Sequence, residues 1–209
     1  MCGIAGFFSS NDLPEHSPEI LASMLERIRH RGPDGQGHFI DRNQGVALGH
    51  TRIGLAVGPD RFVPVIRKLA GFRDVMHRLL GVEDVTPLVG SSLFGVEGGG
   101  VTADRLLDAG CTAIVCGSDL MALGAVRAIR ARGLRVPEDV SVVGYDDSLL
   151  VGFTDPPLTT IRQSVTAMAA AAVRALLDEI AGIPAPRAEY VFRPELVVRA
   201  STGAVPVLA

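Results

Sequence analysis

Cysteine is scarce and odd in number: Cys2, Cys111 and Cys116 have no metal-ligand spacing, which argues for free thiols in a reducing, cytoplasmic compartment and against a disulfide framework. Histidine offers no metal site either, because His30, His38, His50 and His77 lack ligand spacing. No run approaches the roughly 20 uninterrupted apolar residues that span a bilayer. The opening MCGIAGFFSSND has no basic stretch before its short apolar run, so neither membrane insertion nor export is expected. Positive charge is also in short supply. A formal net charge of −3 supplies no overall field for neutralising phosphates, so direct nucleic-acid binding is not expected. Charged residues make up only 21% of the chain against 47% apolar, which excludes wholesale disorder. Internal repeats and low-complexity tracts are absent, and no motif calls for a cofactor.

What is present organises into two unequal stretches. A chain of 209 residues has room for one complete domain or two small ones. Residues 2–8 form a short apolar run ending in Ser-Ser-Asn-Asp, which reads as a buried strand closed by a turn. Ser17 and Pro18 then suit a helix start. Ile20, Leu21, Met24, Leu25 and Ile28 recur at helical spacing, and Gly32-Pro33 ends the pattern.

From Ile53 onward, short apolar runs alternate with amphipathic stretches, the pattern of βαβ units building a parallel sheet. Strands are expected at 53–57, 113–116, 140–145 and 158–161, and helices at 65–80, 102–109, 119–132 and 165–181. Gly133 suits a left-handed cap on the third helix, with Pro137 just beyond. AGIPAPRAEYVFRPE, with its three prolines, reads as a connection and an edge strand. Gly98-Gly99-Gly100 follows no strong strand, so it does not make a phosphate loop.

MCGIAGFF, RHRGPDGQG at Arg29–Gly37 and ALGHTRI at Ala47–Ile53 closely resemble the start of class II glutamine amidotransferases, above all the glutaminase domain of asparagine synthases. The resemblance implies that Cys2, once exposed by loss of Met1, is a nucleophile whose own α-amino group, with a pKa near ~8, serves as its base. It also implies that Arg52 clamps a glutamine carboxylate, a task suited to a planar guanidinium. The family's oxyanion-stabilising NGEIYN-like string has no counterpart here, and loss of one oxyanion donor alone lowers rate by about 10²–10³. The plainer reading of Cys2 is a small apolar residue in a buried strand.

RIGLAVGPDRFVPVIRKLAGF, SDLMALGAVRAIRARGLRVPEDVSVVGYDD, DPPLTTIRQSV and PELVVRAST resemble the C-terminal, effector-binding part of LacI/GalR repressors in order and spacing. The resemblance runs over residues 47–202 and implies a periplasmic-binding-protein-like α/β fold with a ligand cleft. It places Lys68, Phe94, Ser118, Asp146 and Gln163 around that cleft, beyond the carboxyl ends of parallel strands, where open α/β sheets bind ligands. Asp146 can accept bonds from two sugar hydroxyls, Gln163 can donate and accept, and Phe94 offers a flat apolar face. Lys68 and Ser118 stand where the family usually has arginine and asparagine, departures that bear on ligand choice. Each residue also has a plainer reading: Asp146-Asp147 as turn formers, Phe94 as core, Lys68 as a solvated helix charge.

ALGHTRI fits both patterns, which places a crossover inside it. The expected organisation is an amidotransferase-like fragment at 1–50, an incomplete LacI/GalR-type sensor domain at 51–203 and a tail at 204–209. The expected fold is α/β with a mostly parallel sheet. The expected function is recognition of a small polar effector such as a sugar, without a DNA-binding head, by a homo-oligomer. A glutaminase-like fragment is the alternative. The family pattern also leaves helix 165–181 without its usual partner subdomain, and helix 17–30 is the segment expected to cover the sheet in place of the helix lost at the junction.

Overall fold

The computed structural model describes residues 52–184 and 189–203 in full, and three strands at 4–8, 37–41 and 46–50 by their backbone. Cys2 and the expected helix 17–30 lie outside the described residues. The three N-terminal strands β1 (Ile4–Phe8), β2 (Gly37–Asp41) and β3 (Val46–His50) form an antiparallel sheet in the order β1-β3-β2. The strand expected at 2–8 is therefore present as Ile4–Phe8.

A second sheet of six strands carries the rest. Its strands are β4 (Ile53–Val57), β5 (Val89–Ser91), β6 (Ala113–Cys116), β7 (Ser141–Asp146), β8 (Thr159–Arg162) and β9 (Glu195–Val197), in the order β5-β4-β6-β7-β8-β9. All neighbours pair in parallel except β8 and β9. Helices α1 (Val63–Leu80), α2 (Val96–Asp108), α3 (Asp119–Ala131) and α4 (Val165–Ile180) connect them. The shared string ALGHTRI straddles two sheets: Ala47 to His50 lie in β3, whereas Ile53 opens β4.

The parallel strands are apolar runs because helices cover the sheet on its faces. Leu106, Ile114, Met121, Ile129, Val142 and Leu158 are all essentially inaccessible and make the main core. Gly54 on β4 has no side chain because Leu106 occupies that space, with both Cδ atoms 2.9 Å from where a Cβ would stand.

Helix α2 corrects the sequence reading, since it begins at Val96 rather than at residue 102 and takes in the whole glycine triplet. Glycine is a poor helix former, but here backbone approach decides. A Cβ on Gly99 would stand 2.1 Å from the Met121 carbonyl oxygen of α3, and one on Gly124 would stand 1.9 Å from the Val96 carbonyl oxygen of α2. The glycines let two helices touch backbone to backbone. Strand β5 has little sequence signature, being three residues long and flanked by Pro87 and Ser92. The edge strand foreseen near the proline-rich stretch is β9, antiparallel to β8.

Helix α3 starts on Ser118, whose Oγ accepts from the Met121 N–H at 3.2 Å, a normal N-cap. Gly133 beyond its end is left-handed at φ 72°, as its cap role requires. Helix α4 is the exception to all this packing. None of its residues is buried, and Leu176 and Ile180 are 58% and 74% exposed. An unpartnered apolar face is what the sequence leads one to expect of it.

Candidate functional site

Five parallel strands end at one rim, and the chain that leaves each end supplies the side chains of a single cleft. Helix α1 follows β4 and contributes Val63, Pro64, Arg67 and Lys68; the β6–α3 turn contributes Gly117 and Ser118; the end of β7 contributes Tyr145 and Asp146. Gln163 comes from the end of β8, Met168 from α4, and Phe94 from the turn before α2. The cleft has a volume of about 790 Å³, within the range of small-molecule sites. Lys68, Phe94, Ser118, Asp146 and Gln163 thus all line one cavity.

Asp146 and Gln163 are directly bonded: Gln163 Nε2 donates to Asp146 Oδ1 at 2.7 Å. That contact leaves Asp146 Oδ2 and the Gln163 carbonyl oxygen as further acceptors on two lining residues. Partial burial holds the Asp146 carboxyl above its ordinary pKa; the Gln163 bond and the Lys68 charge oppose this, while the nearby Asp119 charge adds to it. Lys68 Nζ donates to the Gly117 carbonyl at 2.9 Å and sits 3.5 Å from the centre of the Tyr145 ring, a cation–π contact. Burial lowers its pKa, with the Asp146 charge pulling the other way. The solvated-charge reading of Lys68 therefore gives way to a half-buried cation tied into the cleft wall.

Phe94 stands at the mouth, 46% exposed, neither core nor free. Its ring rests on Gly58, where a Cβ would come within 2.2 Å of the ring carbon Cζ, and its other neighbour is Phe62, with ring centres 5.9 Å apart and tilted by 56°. Ser118 is occupied as the α3 cap, so its hydroxyl is shared between the helix and the cavity it lines.

Tyr145 and Arg67 line the cleft without having been expected there. Tyr145 had a usable signal, as the last half-buried residue of a strand immediately before Asp146. Arg67, one turn along from the start of α1 and ion-paired with Glu189, had none. Arg52 lies at the opposite, amino end of β4, where its carbonyl accepts from the Thr112 N–H at 3.2 Å. It shares no wall with the cleft. Among the described residues no group of three or more metal-ligating side chains occurs, and no helix is long and apolar enough to cross a membrane.

Comparison with known proteins follows the same division. A family profile described as a periplasmic binding protein-like domain matches residues 43–202. The chain belongs to that family. Its relatives in the family include the HTH-type transcriptional regulator MalR of Streptomyces coelicolor, 52% identical over 206 residues, which covers 97% of this chain and 56% of MalR. An uncharacterised HTH-type regulator from the aml 5' region of Streptomyces limosus is 64% identical over 158 residues, covering 75% of this chain and 45% of its own. Among solved structures, a CelR–cellobiose complex superposes with a TM-score of 0.67 at 37% identity, over 72% of this chain and 46% of CelR. The lac repressor dimer bound to operator and the anti-inducer ONPF gives 0.65 at 34% identity, over 73% of this chain and 53% of the repressor. The family portion here is therefore the effector-binding domain of LacI-type regulators, and the chain spans about half the length of the curated relatives it matches. A second profile, a glutamine amidotransferase domain, matches residues 1–60.

Proposed function

We propose that the cleft binds a sugar as the effector of a transcriptional regulator. The observation that carries this reading is the bonded Asp146–Gln163 pair, which leaves a carboxylate oxygen and an amide oxygen as acceptors on two residues lining a cavity that Phe94 also lines. Vicinal hydroxyls match such paired acceptors, and the apolar face of a pyranose matches an aromatic ring. The similar CelR structure is a complex with cellobiose, which supports the same ligand class. The setting proposed is cytoplasmic, with Cys111 and Cys116 buried in the core. A homo-oligomer goes with the reading, because the similar lac repressor structure is of a dimer; light scattering behind a sizing column decides it.

The test is a thermal-shift series with glucose, galactose, maltose, lactose and cellobiose, run beside purine nucleosides. A sugar present at 100 times its dissociation constant stabilises the chain by about 2.7 kcal/mol. Asp146→Asn should abolish that shift. Stabilisation by purines alone, or an undiminished sugar response in Asp146→Asn, would show the reading to be wrong.

Two origins fit the amidotransferase-like opening, a fusion or a divergent regulator sequence, and the two profiles overlap at residues 43–60. Against a fusion stands the MalR alignment, which runs over 97% of the chain. The genomic reading frame distinguishes the two: a fusion requires an amidotransferase-like frame upstream of the overlap. Glutaminase activity is not part of the proposal, since the oxyanion-stabilising string is missing and Arg52 lies away from the cleft.

A further inference from the structure

We propose that Asp119 is a positioning residue for the effector: its buried carboxylate, through the Ser148 N–H, holds the start of the loop after β7 and so keeps Asp146 in place at the cleft. This rests on the sugar reading above for its functional meaning, but its structural half can be tested without any ligand.

The backbone at the end of β7 needs holding. Asp146 and Asp147 are consecutive non-glycine residues with φ of 111° and 55°, a conformation that side chains disfavour and that persists only where surroundings over-determine it. Two sets of contacts do so. Asp147 accepts from Arg162 Nε and from Arg199 Nη2, both at 2.7 Å, which anchors the second residue of the pair to β8 and to the chain beyond β9.

Asp119 supplies the other anchor from a different direction. Its Oδ2 accepts from the Ser148 N–H at 2.7 Å, directly after the left-handed pair, and its Oδ1 accepts from Thr160 Oγ1 at 2.6 Å. The side chain is buried, at 3% exposed, so protein groups rather than water satisfy it. Strand β7 makes room for it: a Cβ on Gly144 would stand 2.4 Å from Asp119 Oδ1. The first turn of α3 also favours a negative charge there. One carboxylate thus links α3, β8 and the segment that carries Asp146, while touching the cleft nowhere itself.

The charges that face Asp146 are Lys68 from α1, Asp119 from α3 and Asp147 beside it, with the Tyr145 phenol on the same strand. Asp119 is the negative one that raises its pKa from a distance. Asp119→Asn keeps both contacts in reach, since an amide oxygen can accept from Ser148 and an amide nitrogen can donate to Thr160, but it removes this charge. Asp119→Ala removes contacts and charge together. Thr160→Val cuts only the bond to β8 and leaves Ser148 held.

Three measurements decide it. Titration calorimetry uses whichever of the five sugars stabilises the unaltered chain most; Asp119→Ala should weaken that sugar by about tenfold or more, the scale of one charge-assisted hydrogen bond. Thr160→Val, although less heat-stable, should bind within a few-fold of the unaltered chain, and Asp119→Asn should recover most of the affinity lost in Asp119→Ala. Without ligand, the Asp146 carboxyl carbon followed by NMR should titrate at lower pH in Asp119→Asn, and the Ser148 amide should lose exchange protection in Asp119→Ala. Unchanged sugar affinity in Asp119→Ala, an equal loss in Thr160→Val, or an unmoved Asp146 titration in Asp119→Asn would each overturn the proposal. If Asp119→Ala does not fold, the Asp119→Asn titration still decides. If none of the five sugars binds the unaltered chain, the sugar reading fails separately and the NMR measurements judge the positioning role by itself.

Discussion

Asp146 and Lys68 meet in the cleft with pKa values pushed towards each other, the carboxyl up and the ammonium down, chiefly because both lose water. A carboxylate that accepts sugar hydroxyls must be ionised to do so at full strength. Sugar affinity should accordingly begin to fall, on acidification, at a higher pH than for an ordinary aspartate, and calorimetry across the acid range checks this. Asp147 behaves oppositely. Burial raises its pKa, but the hydrogen bonds and charges of Arg199 and Arg162 outweigh that and leave it lowered. A depressed folded-state value stabilises the fold above the unfolded carboxylate's pKa, and the contribution disappears as pH falls through the folded value. The melting temperature of Asp147→Asn should lie below that of the unaltered chain at neutral pH, and the gap should close in acid. Gly58 offers a third residue-scale experiment. An added methyl would displace the Phe94 ring, whose exposed side lets it move outward without disturbing the core. Gly58→Ala should therefore lower sugar affinity while leaving the melting temperature nearly unchanged.

The α2–α3 seam shows an element whose form was only partly legible. The glycine triplet argues against a helix by propensity, and the reading of a helix only from residue 102 follows propensity. It fails because the backbones of α2 and α3 meet at Gly99 and Gly124, a contact that no local rule encodes. Since the clashing atoms are backbone carbonyls rather than flexible side-chain ends, the helices themselves must move apart to admit a methyl. Gly99→Ala and Gly124→Ala should each destabilise by about 1–3 kcal/mol, the range for overpacked interiors, as chemical denaturation would reveal. By contrast, β4, β6 and α3 read directly from the chain, because apolar runs of strand length and a Ser-Asp helix start are local features. β5 could not be read that way: Val89-Gly90-Ser91 becomes a strand only because β4 provides an edge to pair with.

At the scale of the molecule, α4 lies outside the cohesion of the rest. It has no buried residue, while Ile129 on α3 is fully enclosed. Ile129→Ala should lower stability by about 2–5 kcal/mol. Leu176→Ala should change it by no more than about 0.5 kcal/mol, as for exposed positions generally. A large loss at Leu176 would mean that something packs on α4 in solution. The matched region covers 56% of MalR and 45% of the Streptomyces limosus protein.

The order of apolar runs and amphipathic stretches after Ile53 was sufficient to determine a parallel α/β sheet, because period and length are local properties of the chain. The residues that gather at its carboxyl rim could be named in advance through family resemblance and the rule that open sheets bind ligands there. Tertiary structure alone decided that Gln163 bonds to Asp146, that Lys68 lies on the Tyr145 ring, and that Asp119, buried and remote in sequence, secures the left-handed pair. Those are contacts between elements, and their distances depend on how strands and helices pack, which no window of sequence contains.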